Sequence, residues 1–156
     1  MIRWEFPARG EAPPVALFWY DGGLRPPAPQ ELGLDGEELA EEELLFVGDQ
    51  GKILADFSGG QPRLIPKTRM QQFQAPAKTL ARPLDELDQF ARACRGGQEA
   101  DASFPKAYPF AETILMGTIA LRINKKLRWN TEKFEFENSG QANELKVRKN
   151  REGWEV

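Results

Sequence analysis

Apolar positions along this chain cluster in short blocks whose spacing predicts alternating strands and helices. Trp4 to Phe6 reads as a short edge strand, and Val15 to Tyr20, VALFWY, is apolar at odd and even positions alike, which predicts a strand covered on both faces. Leu44–Val47 and Lys52–Phe57 flank Gly48-Asp49-Gln50-Gly51, a turn sequence that predicts a hairpin with Gly51 at positive φ. Pro62 to Pro66 adds a short strand, followed by a long irregular connection to Pro83. Leu84, Leu87, Phe90, Ala91 and Cys94 recur at helical spacing up to Gly96-Gly97, so Asp85 to Arg95 is expected as an amphipathic helix with one face packed.

The longest apolar stretch is PFAETILMGTIALRINKK, from Pro109 to Lys126. Pro109 suits a first helical position, and Ile114, Leu115, Met116, Ile119, Ala120 and Leu121 surround the helix axis, so a buried helix is expected. Gly117 costs roughly 1 kcal/mol in helix propensity against Ala, which points to close approach of a strand. Asn124 suits the left-handed stop position. Leu127–Trp129 and Lys133–Glu137 then read as two strands, the second half buried at Phe134 and Phe136. Asn138-Ser139 can cap a short helix from Gly140 to about Val147, leaving a basic tail with Trp154. The sum predicts one α+β domain spanning residues 1–156, with a mostly antiparallel (mixed) open β-sheet and two or three helices on one face.

Composition narrows the chemistry. There is no histidine, which removes Ser/His and Cys/His nucleophile pairs, the usual zinc ligands and the commonest general base. Cys94 is the only cysteine, so no internal disulfide forms, and its helical setting reads as a small buried hydrophobe. A net charge of −3 argues against a nucleic-acid or anionic-membrane partner. With no signal-peptide pattern at Met1 and no apolar run near the ~20 residues of a membrane span, a soluble, cytoplasmic chain is expected. From Glu31 to Glu43 the chain carries carboxylates without one Lys or Arg, which reads as a solvated loop; the calcium-loop spacing is missing.

Few residues offer chemistry. Asp21, Asp56 and Glu112 sit at element ends where a carboxylate pair could form, although Glu112 is more simply a charge near a helix end. Trp19, Tyr20, Tyr108 and Trp129 could build a platform for a sugar face, or could serve as core. Arg63, Lys67 and Arg69 lie close together and could hold an anionic ligand, since guanidinium and ammonium groups match carboxylate and phosphate. The Gly22-Gly23 and Gly59-Gly60 pairs lack the order of a dinucleotide-binding loop. No catalytic residue and no metal ligand set is expected, and the ligand-binding candidates are Arg63, Lys67, Arg69, Tyr108 and Glu112.

Several stretches taken in order, WEFPARGEAPP, FWYDGGLRPP, LLFVGDQGKILADF, PRLIPKTRM, ALRINKKLRW and QANELKVRKNREGW, resemble the C-terminal portion of bacterial members of the Gfo/Idh/MocA family of oxidoreductases. The resemblance implies a second domain with a large, mostly antiparallel sheet that contacts substrate and builds dimers. By the same resemblance, NAD or NADP and the catalytic lysine and histidine are expected to belong to segments upstream of anything present here, and no cofactor is expected for the chain alone. The expectations are a substrate-side and dimerisation domain that is not catalytic on its own, a homodimer through the sheet, a Rossmann domain as a missing partner, and a sugar-like small molecule as ligand. The alternative is a free-standing carbohydrate or small-acid binding module, and a hydrolase using paired carboxylates ranks last.

Overall fold

A computed structural model describes residues 1–154. The described chain divides into two units, Arg25–Ala81 and the combination of Met1–Leu24 with the residues from Arg82 onward. Among the described residues the element order is β1 (Ile2–Phe6), β2 (Val15–Trp19), α1 (Gln30–Leu34), β3 (Glu43–Val47), β4 (Lys52–Asp56), β5 (Arg63–Ile65), α2 (Lys67–Gln72), α3 (Glu86–Cys94), α4 (Phe104–Ile123), β6 (Trp129–Asn130), β7 (Glu135–Phe136) and α5 (Gly140–Glu144). The class is α+β with every strand pairing antiparallel. The strands are shared among three small sheets, β1-β2, β3-β4-β5 and β6-β7, where the sequence suggested one open sheet.

The Arg25–Ala81 unit is organised by the expected hairpin. Val47 pairs with Lys52 across the turn, which the Gly48 N–H closes onto the Gly51 carbonyl at 2.9 Å, and Gly51 has a φ of 154°. Pairing continues from β4 to β5, with Ile53 opposite Leu64 and Leu54 opposite Arg63. Alternation along β4 places Leu54 on one face and Ile53 on the other. Leu54 and Ile65 close a small core with Leu32 of α1, supported by Leu39 and Leu45. The Ile65–Pro66 peptide bond is cis. The connection expected to be irregular after Pro66 begins instead with α2, entered with the Lys67 N–H bonded to Asp35 Oδ2 at 2.8 Å.

That core also corrects the reading of the acidic run. A helix places Leu32 in the core, and the carboxylates around it are matched by cations from β4, β5 and α2. Glu31 pairs with Lys52 at 2.5 Å, and Glu37 takes both Arg63 at 2.8 Å and Lys67 at 2.5 Å. The run looked solvated because its counter-charges are 21 or more positions away in sequence.

In the other unit, α4 packs on β1 and α5, and α5 packs on β7. Gly117 is the one buried residue of α4, and a Cβ there would fall 2.3 Å from Cζ2 of Trp4 on β1, so the expected close approach of a strand is found. The Trp4 indole N–H also donates to the Thr113 carbonyl at 3.0 Å. Asn124 ends the helix in the left-handed conformation at φ 52°, as its position predicts. Two expectations for this helix fail. It starts at Phe104, with Pro105 in the first turn and Pro109 inside; a proline there frees only the carbonyl four residues back, that of Pro105, which still lies in the first turn. The helix is also not buried: Phe110, Ile114, Leu115 and Leu121 are exposed, Leu115 at 62%. A helix apolar all round needs several covering elements, and β1 and α5 cover only part of its circumference.

The same shortage of cover corrects the readings of β2 and α3. All five residues of β2 are exposed, although its sequence suggested cover on both faces. On α3, the expected helix is found and Asp85 caps its first turn by accepting from the Leu87 N–H at 2.9 Å, yet Leu87, Phe90 and Cys94 are exposed and no residue of that helix is buried. Towards the end of the chain, Trp129 packs edge-on to Phe134 and Phe136 at 5.0 and 4.9 Å. The Asn143 side chain clamps Phe136, accepting from its N–H at 2.8 Å and donating to its carbonyl at 2.9 Å. Ser139 Oγ caps α5 by accepting from the Ala142 N–H at 3.2 Å.

Candidate functional site

The three cations grouped in the sequence part company in the structure. Arg63 faces the α1 side of the sheet because it is register partner to Leu54, and Lys67 opens α2 beside Asp35. Both converge on Glu37, whose carboxyl is held below its ordinary value chiefly by the Lys67 ammonium and also by the Arg63 guanidinium. Glu31 is held down in the same way by Lys52. These cations are committed to internal carboxylates.

Arg69 is not. It sits two residues further along α2, and its guanidinium rests on the β3–β4 turn, with Nη1 2.5 Å from where a Gly51 side chain would begin. No carboxylate or other acceptor engages that guanidinium among the described residues. It borders an open cleft of about 550 Å³ lined also by Asp49, Gln50, Ile53, Leu64, Gln72 and Phe73. Ile53 and Leu64 are direct cross-strand partners, so the cleft floor is the sheet face opposite the Leu54 core. Arg69 was among the sequence candidates; its cleft partners were not. The hairpin turn could have pointed to Asp49 and Gln50, but nothing local linked them to Gln72 and Phe73.

Tyr108 and Glu112 belong to α4 in the other unit, one turn apart, and the Tyr108 hydroxyl donates to Glu112 Oε1 at 2.7 Å. That bond raises the phenol above its ordinary range, because it stabilises the protonated form. The pair is an i,i+4 contact on an exposed helix surface. The three carboxylates considered for acid–base chemistry each hold a local structure: Asp21 Oδ1 accepts from the Gly22 N–H at 2.6 Å, and Asp56 accepts from Ser58 Oγ at 2.6 Å and the Gly60 N–H at 2.7 Å. Asp56 is held below the usual aspartate range by the Ser58 hydroxyl first and the Gly60 amide next. Of the aromatic platform, Trp129 is taken up by Phe134 and Phe136, and Tyr20 stacks on Phe18 at 6.5 Å.

Among the described residues no group of three or more Cys, Asp or Glu side chains is placed to hold a metal ion, and no helix is long and apolar enough to cross a membrane. No curated protein and no solved structure matches the chain. A family model described as the C-terminal alpha/beta domain of an oxidoreductase family, Gfo/Idh/MocA, matches residues 26–156. That match takes in the Arg25–Ala81 unit from Pro26 onward and runs through α3, α4 and α5. The chain therefore belongs to the Gfo/Idh/MocA oxidoreductase family, as its C-terminal alpha/beta domain.

Proposed function

We propose that this chain is the substrate-side and dimerisation domain of a Gfo/Idh/MocA-type, NAD(P)-dependent oxidoreductase and is not catalytic on its own. The observation that carries this reading is β2. It pairs on one edge with β1, has no strand on its other edge among the described residues, and exposes Val15, Leu17, Phe18 and Trp19. An apolar strand with a free edge is a template for adding another strand, and natural proteins blunt such edges unless they are used. A second copy offers the same strand in a self-complementary, two-fold arrangement. The exposed apolar residues of α4, Phe110, Leu115 and Leu121, support the same reading, since a monomer gains nothing by leaving them in water.

Sedimentation across a dilution series tests it. A dimer is expected at micromolar concentration, and Leu17→Lys is expected to shift the protein to monomer while its circular dichroism is unchanged. A strictly monomeric wild type at high micromolar concentration overturns the pairing. NAD and NADP are expected to leave the melting temperature of this chain unchanged, and a clear shift with either overturns the non-catalytic reading.

A further inference from the structure

The Arg69 cleft brings together a guanidinium with no carboxylate partner among the described residues and the apolar side chains of Ile53, Leu64 and Phe73. We infer that it binds a small monocarboxylate carrying an apolar or ring face, with the carboxylate on the Arg69 guanidinium and the apolar face on Ile53, Leu64 and Phe73. The inference rests on the substrate-side reading of the domain and gives that reading a ligand class.

Charge allocation is the first argument. Four cations come from β4, β5 and α2: Lys52, Arg63 and Lys67 meet carboxylates at 2.5 to 2.8 Å, and Arg69 alone is left without one among the described residues. The unit has carboxylates to spare, including Asp49 in the same cleft, yet none closes on Arg69. The second argument is placement. The guanidinium is laid against Gly51, at a spot that any side chain on residue 51 would occupy. A planar fork held this way presents paired N–H donors to a carboxylate. The third is the floor. Ile53 and Leu64 form an apolar cross-strand pair with Phe73 beside it, while the Gln50 and Gln72 amides offer donors and acceptors for hydroxyl groups. Asp49 sets the charge limit, since its carboxylate repels a doubly charged phosphate more than a monoanion.

Calorimetric titration of the full chain with benzoate, glucuronate, benzamide, glucose and inorganic phosphate tests this. The two acids are expected to bind, and Arg69→Gln is expected to weaken them about 10- to 100-fold, the span of a charge-assisted hydrogen bond. Because Arg69 is an exposed side chain, the variant is expected to keep the wild-type circular dichroism and sedimentation behaviour. Gly51→Ala, which pushes the guanidinium aside, is expected to weaken the acids in the same direction. Acid binding that Arg69→Gln leaves unchanged overturns the inference, as does benzamide, glucose or phosphate binding as tightly as the acids, or no heat from any probe. Sedimentation reports the domain reading separately: a dimer that binds none of the acids keeps the scaffold and loses the ligand class, whereas an acid-binding monomer does the reverse.

Discussion

The β4 strand and the β2 strand are both five residues long and both rich in apolar side chains, yet one is the centre of a core and the other is exposed along its whole length. Strand β4 has neighbours on both edges and α1 laid over one face, which encloses Leu54 with Leu32 and Ile65. Strand β2 has one neighbour, and α4 packs on that neighbour, touching β1 through Gly117 and Trp4. The difference lies in cover, not in composition. It also extends to charge: around the Leu54 core the cations are matched by carboxylates of α1 and its loop, while on the opposite face of the same sheet Arg69 is left over. Exposed apolar side chains in one unit and an unmatched cation in the other are what the two proposals build on.

The strongest way to break the comparison is to cut both strands to the same side chain. Leu54→Ala removes a fully buried side chain and is expected to cost about 2–5 kcal/mol, by lost burial plus the cavity left behind. Val15→Ala, on the exposed strand, is expected to change stability by no more than about 0.5 kcal/mol when measured at a concentration where the protein is monomeric. Urea unfolding followed by hydrogen exchange at β4 and β2 separately reads both. Equal losses at the two positions would mean that β2 is covered in solution even in the monomer.

The contact between α4 and β1 gives the next largest effect. Gly117→Ala adds a methyl group 2.3 Å from the Trp4 ring, and overpacking of this kind is expected to cost about 1–3 kcal/mol. Helix propensity works the other way by about 1 kcal/mol, so the sign of the change decides whether the ring can move aside. A destabilised variant whose loss shrinks when Trp4 is also changed to Phe is the expected result, because the two sites share one contact. A more stable Gly117→Ala protein would show that the approach is loose. Below it comes Ser139→Ala, expected to cost about 1 kcal/mol through loss of the α5 cap, with exchange protection lost first at the Ala142 amide.

What the sequence made legible was local. The Gly48-Asp49-Gln50-Gly51 turn, the Ser139 cap and the Asn124 stop are each set by a few adjacent residues, and each is found. Gly117 was legible too, because a glycine inside an apolar helix has few other reasons to be there. Cover was not legible. Whether VALFWY or the α4 helix is buried depends on how many elements reach it, and periodicity records only which face would accept them. Charge pairing was hidden for the same reason: Glu31 through Glu43 contains no cation, and its partners come from β4, β5 and α2. The candidate cations Arg63, Lys67 and Arg69 looked like one group because they are neighbours in sequence. A strand end and a helix start intervene, sending two to Glu37 and the third to the other face.

The charge half of the comparison can be sharpened by pH, with the smallest effect of the series. Glu31 and Glu37 both have their carboxyls held below the ordinary glutamate value of 4.5, Glu31 by Lys52 and Glu37 by Lys67 and Arg63. A group whose folded value is depressed contributes stability above its unfolded value and loses it as pH falls through the folded one. The contribution of these pairs is therefore present at neutral pH and fades below about pH 4.5, as the unfolded chain takes up protons before the folded one does. Both carboxylates are partly open to water, so solvent screening keeps the effect modest. Urea midpoints measured from pH 7 down to pH 3 are expected to fall less steeply for Glu37→Gln than for the wild type, with the two curves converging at the acid end. If the two slopes are identical throughout, the Glu37 pairs contribute nothing to folding. The matched face would then differ from the Arg69 face in geometry alone.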